Sequence, residues 1–224
     1  MRNDLGSLEM TVRTEFLAGR EYTDLHSRRY DRFSFPSFPA LMDFRVRRSC
    51  VYGFGNMMTM HTQTPFGMEM LTCAFTPYEG GDVPFFLIDI VLSKGKQTVF
   101  TEYYDCTVSK KPHPLLSEVY DKYRDIPPYD ERPAWYVGER AEYSLIKAVP
   151  EGEDISGIIT DSVRAYRDES LSAGIDRRNL KGLCAFRSRM TEEGNPSLPV
   201  LRLVFGRDGA KRFFNRCVMP MRAK

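Results

Sequence analysis

One carboxylate stands inside an otherwise apolar segment, 84-PFFLIDIVLS-93, and is the first candidate for chemistry. A carboxylate in apolar surroundings costs several kcal/mol unless it finds partners or stays protonated. On a strand beside a large apolar ligand, the pKa of Asp89 would rise from about 3.9 toward neutrality, and its carboxyl could deliver a proton. The alternative is an aspartate whose side chain points to a polar face of the sheet or caps a turn.

Other common kinds of site have no signature in this chain. The five cysteines and three histidines are scattered without metal-ligand spacing, which predicts free thiols and no bound metal ion. The glycine-rich loops that hold dinucleotides and phosphates are absent, as is the GxSxG pattern of serine hydrolases. A formal net charge of +2 argues against a nucleic-acid binder, although lysines and arginines form small local clusters.

The elements that must position Asp89 follow from periodicity and turn residues. Extended segments joined by short turns predict an antiparallel meander over residues 44–106, with strands at 44–53, 56–64, 67–77, 84–93 and 96–106. Residues 141–149 resemble one more strand. Helices are predicted at 114–126, 153–171, 198–206 and 207–218, and residues 1–43 are predicted to be a peripheral helical segment that ends in a proline-containing loop at 33–42.

These elements predict an α/β fold, namely a three-layer α/β/α sandwich with a central, mostly antiparallel sheet of about six strands. At 224 residues with 42% hydrophobic residues, we expect one domain over residues 1–224. The longest apolar runs are too short for a membrane-spanning helix, and the N-terminus does not have the form of a secretory signal. The expected location is the cytoplasm.

Three segments, in order, resemble those of ferredoxin-dependent bilin reductases. Residues 70–91 resemble that family's central hairpin, in which a strand ending in proline leads to an apolar strand with an aspartate. Residues 142–151 resemble its last strand, and residues 194–220 resemble its C-terminal signature of a polar turn and two helices. The phycocyanobilin:ferredoxin oxidoreductases belong to this superfamily, and so do the red chlorophyll catabolite reductases, whose strand is closer to the Phe-Leu-Ile that precedes Asp89.

The resemblance implies a ligand, an electron source and a proton donor. Members have an α/β/α sandwich fold and bind a linear tetrapyrrole between the sheet and the C-terminal helices. They hold no bound flavin or metal and take single electrons from ferredoxin; flavodoxin is an equivalent donor. Asp89 lies at the position of the family's central proton-donating aspartate.

Several positions depart from the family pattern. Thr72 stands where many members have a histidine, and Gln63 replaces a glutamate in 60-MHTQ-63, where His61 is retained. Asn195 occupies the place of an aspartate found in some members. The resemblance therefore implies Asp89 and His61 as catalytic residues, with Gln63, Thr72 and Asn195 at the substrate.

A tetrapyrrole also has two propionates, which call for cations beside an apolar cavity. The candidates are Lys147 and Arg187, followed by Arg189, Arg45 and Arg47.

Two hypotheses from different classes remain open. The first is an enzyme that reduces a biliverdin-type bilin, or a chlorophyll catabolite, by alternating electron uptake and protonation. The second is a binding protein on the same fold that holds a bilin, haem or other apolar ligand without chemistry. Reduction of bound biliverdin by reduced ferredoxin would distinguish them.

Overall fold

A computed structural model describes residues 4–37, 40–65 and 67–221, and an antiparallel sheet lies at its centre. The sheet order is β1-β3-β4-β5-β6-β7-β8, and β2 pairs with the other half of the β3 edge. Every pairing is antiparallel, as hairpin-length connections require. The strands are β1 Tyr22–Leu25, β2 Arg32–Ser37, β3 Ala40–Val51, β4 Gly55–Gln63, β5 Glu69–Thr76, β6 Phe85–Ser93, β7 Lys96–Tyr104 and β8 Leu145–Pro150.

The helices come mainly from the C-terminal half of the chain. They are α1 Leu5–Leu17, α2 Pro114–Tyr123, α3 Ser156–Ser172, α4 Asn179–Glu192 and α5 Leu198–Phe213, with a short 3-10 helix at Trp135–Glu139 and a π-helix at Phe214–Val218. Gly206 interrupts α5 with a φ of 69°, so the two predicted C-terminal helices are the two halves of one kinked element. The sequence did not indicate α4 as a separate helix.

The two faces of the sheet carry separate hydrophobic cores. On one face, α1, α2 and α3 pack on alternate strand residues such as Phe75, Phe86 and Ile88. On the other face, α4, α5 and the π-helix cover Met58, Phe85 and their neighbours. Because successive strand side chains point to opposite faces, each strand contributes to both cores. The predicted α/β/α sandwich is confirmed.

Two details of the predicted fold are wrong. The sheet has eight strands instead of about six, and the segment 1–43 is helical only over Leu5–Leu17 before it contributes β1, β2 and the start of β3. The predicted loop at 33–42 is largely strand, although residues 38–39 of it lie outside the described residues. Pro36 is compatible with this because β2 lies at the sheet edge, where one missing N–H removes no interior ladder bond.

The state of the cysteines and the length and polarity of the helices bear on two expectations from the sequence. Cys50, Cys73, Cys106, Cys184 and Cys217 are all free thiols. Within residues 4–37, 40–65 and 67–221, no helix combines the length and the apolarity that crossing a bilayer demands.

The turn between β3 and β4 depends on a glycine that no other residue can replace without distortion. Gly55 has a φ of 145°, and a Cβ at this position would lie 2.2 Å from the Thr76 carbonyl oxygen. We expect Gly55→Ala to lower the free energy of unfolding by about 3 kcal/mol or more, because backbone strain and a clash act together. Gly95→Ala is the matched control, since Gly95 has a φ of 84° but open space around it, and should cost about 1 kcal/mol. Urea unfolding measures both, and equal losses would contradict the steric explanation.

Candidate functional site

A cavity of about 290 Å³ opens between the sheet and the C-terminal helices. Its floor is the sheet face formed by alternate residues of β3 to β7, its far wall is the start of α5, and its rim includes residues 129–140 of the long connection before β8. Methionines and aromatic residues make most of the surface, including Met42, Phe44, Met60, Met70 and Phe100. Flexible thioethers and flat rings suit a large aromatic ligand.

Asp89 lies in the middle of this apolar floor. It is directly opposite Thr72 on β5 and Phe100 on β7, and all three side chains line the cavity. The Thr72 hydroxyl donates a short hydrogen bond to Asp89 Oδ1. The carboxyl therefore has one protein donor and is otherwise open to whatever occupies the cavity.

A second carboxyl, Glu102, lines the same cavity from β7 and is almost fully buried. It forms a short ion pair with Arg140, whose guanidinium also binds Glu131 through two hydrogen bonds. The Tyr104 hydroxyl donates to Glu102 Oε1 at 3.0 Å. Arg140 thus pairs with both Glu102 and Glu131, so this group of three side chains has an excess negative charge beside Asp89.

These surroundings set the protonation of Asp89. Desolvation, followed by the charge of Glu102, raises the pKa of Asp89 from 3.8 to about 7, against smaller opposing effects of the Thr72 hydrogen bond and the Arg140 charge. Burial also raises the pKa of Glu102, but the Arg140 cation and the Tyr104 hydroxyl favour its charged form. The two carboxyls therefore differ: Glu102 is paired with Arg140, whereas Asp89, with a pKa of about 7, can hold a proton near neutral pH.

Asn195 comes close to the same carboxyl from the helical side. It lines a small space of about 20 Å³ together with Thr72 and Asp89. Its amide Nδ2 donates to the Met190 carbonyl oxygen at 2.9 Å, and its Oδ1 accepts from the Ser197 N–H at 3.0 Å. Asn195 therefore fixes the turn that precedes α5 and closes the cavity wall.

The structure does not bring His61 or Gln63 to the cavity. Met60 and Thr62 of β4 line it, so alternation directs His61 and Gln63 to the opposite face, the α1 side. There His61 Nε2 lies 3.6 Å from Glu69 Oε2. The sheet separates His61 from Asp89.

The two predicted propionate ligands also lie elsewhere. Lys147 is on the α1 side of β8, where its Nζ donates to the carbonyl oxygens of Arg124 and Ile126 at 2.6 and 2.8 Å. It fastens the segment after α2 and does not line the cavity. Arg187 lines a different, polar cavity near the C-terminus. Among the predicted site residues, the structure therefore groups Asp89, Thr72 and Asn195.

A solved structure shares the fold of this chain. The chain superposes on phytochromobilin synthase from tomato, crystallised in complex with biliverdin, with a TM-score of 0.78 over 96% of this chain and 82% of that one. The chain has the fold of phytochromobilin synthase. Sequence identity to it is 11%. No family model matches the sequence, and neither does any curated protein.

Strand register explains which of the cavity-lining residues the sequence could reveal. Glu102 was overlooked although a signal existed: the two-residue turn at Lys94-Gly95 pairs Ser93 with Lys96, and this register puts Glu102 on the Asp89 face. Arg140 and Glu131 come from an irregular connection, where no periodicity indicates which side chains turn inward. Arg132, exposed at the cavity rim, was missed for the same reason.

Replacement of Asp89 tests its protonation through stability. Between pH 3.8 and 7 the unfolded chain loses the Asp89 proton before the folded chain does, so wild-type stability falls as pH rises through this range. The amide introduced by Asp89→Asn does not titrate. The variant should equal wild type below pH 4 and exceed it by up to about 4 kcal/mol at pH 8, at 1.36 kcal/mol per pKa unit. Urea unfolding across this range measures the difference, and the exposed control Asp208→Asn should show no such gain.

Replacement of Glu102 tests the source of the raised pKa. Glu102→Gln removes the negative charge that contributes to the raised pKa and leaves Arg140 paired with Glu131 alone, so the pKa of Asp89 should fall below 7. Carboxyl carbon NMR titration of wild type and variant measures this, with Glu142→Gln as an exposed control. An unchanged Asp89 pKa in Glu102→Gln would assign the whole effect to desolvation.

Proposed function

We propose that this protein reduces a linear tetrapyrrole of the biliverdin type, with Asp89 as the principal proton donor and reduced ferredoxin or flavodoxin as the electron source. The observation that carries the proposal is the Asp89 carboxyl, whose pKa is raised to about 7, in the floor of an apolar cavity between the sheet and the C-terminal helices. The shared fold with a protein crystallised with biliverdin supports the ligand, and the three ordered sequence segments support the reaction class.

Proton delivery uses groups that the cavity already holds. Asp89, protonated in a large fraction of molecules near pH 7, gives its proton to a tetrapyrrole carbon or nitrogen that has gained an electron. The Thr72 hydroxyl then stabilises the carboxylate left behind. Burial and the Glu102 charge favour reprotonation from solvent, so the same carboxyl serves again.

Electrons arrive singly from outside the protein. Reduction of one double bond takes two electrons from two reduced ferredoxins and two protons, one from Asp89 and one from solvent or a second passage through Asp89. Because a ferredoxin is an acidic partner, the encounter would be steered by charge and would weaken at high ionic strength.

The cavity also suggests where the propionates lie. A volume of about 290 Å³ is at the lower end for ligand pockets, so a tetrapyrrole would fill it and leave polar groups at the rim. Arg132 is exposed at that rim, and no ion pair joins it to another described residue. We assign Arg132 as the cation for one propionate, in place of Lys147 and Arg187.

A pair of variants tests the assignment of the acid. In Asp89→Asn, electrons still arrive but the proton does not, so a one-electron-reduced tetrapyrrole radical should accumulate while the product-formation rate falls by about 100-fold or more. His61→Gln is the matched control on the other face of the sheet and should turn over at a rate close to wild type. Anaerobic mixing of biliverdin-loaded protein with reduced ferredoxin, followed by absorption and electron paramagnetic resonance, measures both.

The outcomes separate the hypotheses. Wild-type turnover in Asp89→Asn would make Asp89 structural. Loss of turnover in His61→Gln would restore His61 as a proton donor that acts after a rearrangement. Thr72 in place of a histidine favours the binding-protein alternative, and biliverdin that binds but is never reduced, even by wild type, would establish it.

A further inference from the structure

A second cavity, of about 490 Å³, lies on the same side of the sheet near the C-terminus. We call it the arginine cavity because Arg48, Arg187 and Arg216 line it, together with His26 and Asn56. It shares no lining residue with the Asp89 cavity. The two are therefore separate spaces in the same layer of the protein.

Arg48 is the most unusual group in this cavity. It projects from β3 between Val46 and Cys50, and its side chain is only 8% exposed. Its Nη1 donates to the Arg216 carbonyl oxygen at 3.4 Å and its Nη2 lies 3.8 Å from Asp31 Oδ1. Its Nε has no hydrogen-bond partner within residues 4–37, 40–65 and 67–221. Long contacts and an unused donor leave this buried guanidinium poorly satisfied, which proteins seldom tolerate without a ligand or water.

The other cations of the cavity are also available. Neither Arg187 nor Arg216 forms a salt bridge with any residue in the described ranges, and they approach from α4 and the π-helix respectively. Asp31 is the carboxylate that contacts this group, through Arg48 and the exposed His26. Three arginines against one carboxylate leave an excess positive charge, and guanidinium groups recognise oxyanions with paired hydrogen bonds.

The side-chain oxygen of Asn56 calls for a hydrogen-bond donor on the ligand. Its Nδ2 donates to the Cys217 carbonyl oxygen at 3.2 Å, which fixes the amide orientation. Its Oδ1 is buried and has no hydrogen-bond partner among the described residues. A matching ligand therefore presents a hydroxyl or amine as well as its anionic group.

We propose that the arginine cavity is a second ligand site, which binds a small organic oxyanion, a carboxylate or phosphate that also carries a hydroxyl. Arg48, Arg187 and Arg216 hold the anionic group and Asn56 accepts from the hydroxyl. The volume exceeds that of a bare inorganic ion, and Tyr30 and Tyr78 give the cavity walls for the organic part. This site is independent of tetrapyrrole binding.

Calorimetric titration of the full chain tests the proposal with two probes. Citrate represents the carboxylates and glycerol 3-phosphate the phosphates, each titrated at constant ionic strength without biliverdin. Arg187→Gln and Arg216→Gln should each weaken binding of the preferred probe by about tenfold or more, because each removes a charged hydrogen bond. Arg212→Gln, an exposed arginine on α5 outside the cavity, should leave the Kd unchanged.

The same titration on biliverdin-saturated protein separates the two sites. The Kd of the probe should change by less than about twofold, and binding of one probe or of both defines the oxyanion class. Absence of binding by either probe at millimolar concentration would overturn the proposal. So would equal weakening in Arg212→Gln, or competition with biliverdin, which would assign these arginines to the tetrapyrrole propionates. The first titration contains no biliverdin, so its result does not depend on whether the protein reduces a tetrapyrrole.

Discussion

Two carboxyls on one face of a buried sheet cannot both be charged cheaply, and this constraint organises the Asp89 cavity. Asp89 and Glu102 lie on adjacent strands and face the same apolar space. Arg140 makes the two carboxyls different because it forms ion pairs with Glu102 and with Glu131. Desolvation and the charge of Glu102 together raise the pKa of Asp89 to about 7.

The two sides of the sheet perform different tasks. On the α1 side, aromatic rings interlock, with Phe16 and Phe75 centroids 4.6 Å apart and Tyr166 donating to the Pro84 carbonyl oxygen. Such packing stabilises and leaves little empty space. On the other side, α5 is broken at Gly206 and continues into a π-helix, and both the Asp89 cavity and the arginine cavity lie in this layer. Irregular helices are common at ligand sites because they interrupt close packing.

Polar and charged groups line both of the cavities on the C-terminal side. Three carboxyl groups, two arginines and the Thr72 hydroxyl are among the groups that line the Asp89 cavity, while three arginines and Asn56 line the arginine cavity. Groups of this kind cost free energy when they lack partners, so a cavity that they line is a candidate binding surface. Lys147, by contrast, is buried on the α1 side with both of its partners in place and is structural.

Local signals accounted for most of the sheet. Apolar alternation and glycine turns predicted β4 to β7 with nearly correct ends, because consecutive antiparallel strands are specified by their own residues and short connections. The N-terminal strands were missed because their formation depends on the open edge of β3. Edge strands with mixed charge and proline have weak intrinsic signals, and only the partner strand decides them.

For the site, the sequence by itself indicated Asp89: a lone carboxylate in an apolar strand is a candidate for an unusual pKa, provided that its side chain faces an apolar layer. Period two also places His61 and Met60 on opposite faces, so only one of them can share the Asp89 face. Only the tertiary structure decided that Arg140, far beyond β7 along the chain and in an irregular segment, would reach Glu102. Side-chain direction in a strand follows from local geometry, whereas an ion pair between a strand and a distant loop depends on how the whole chain packs.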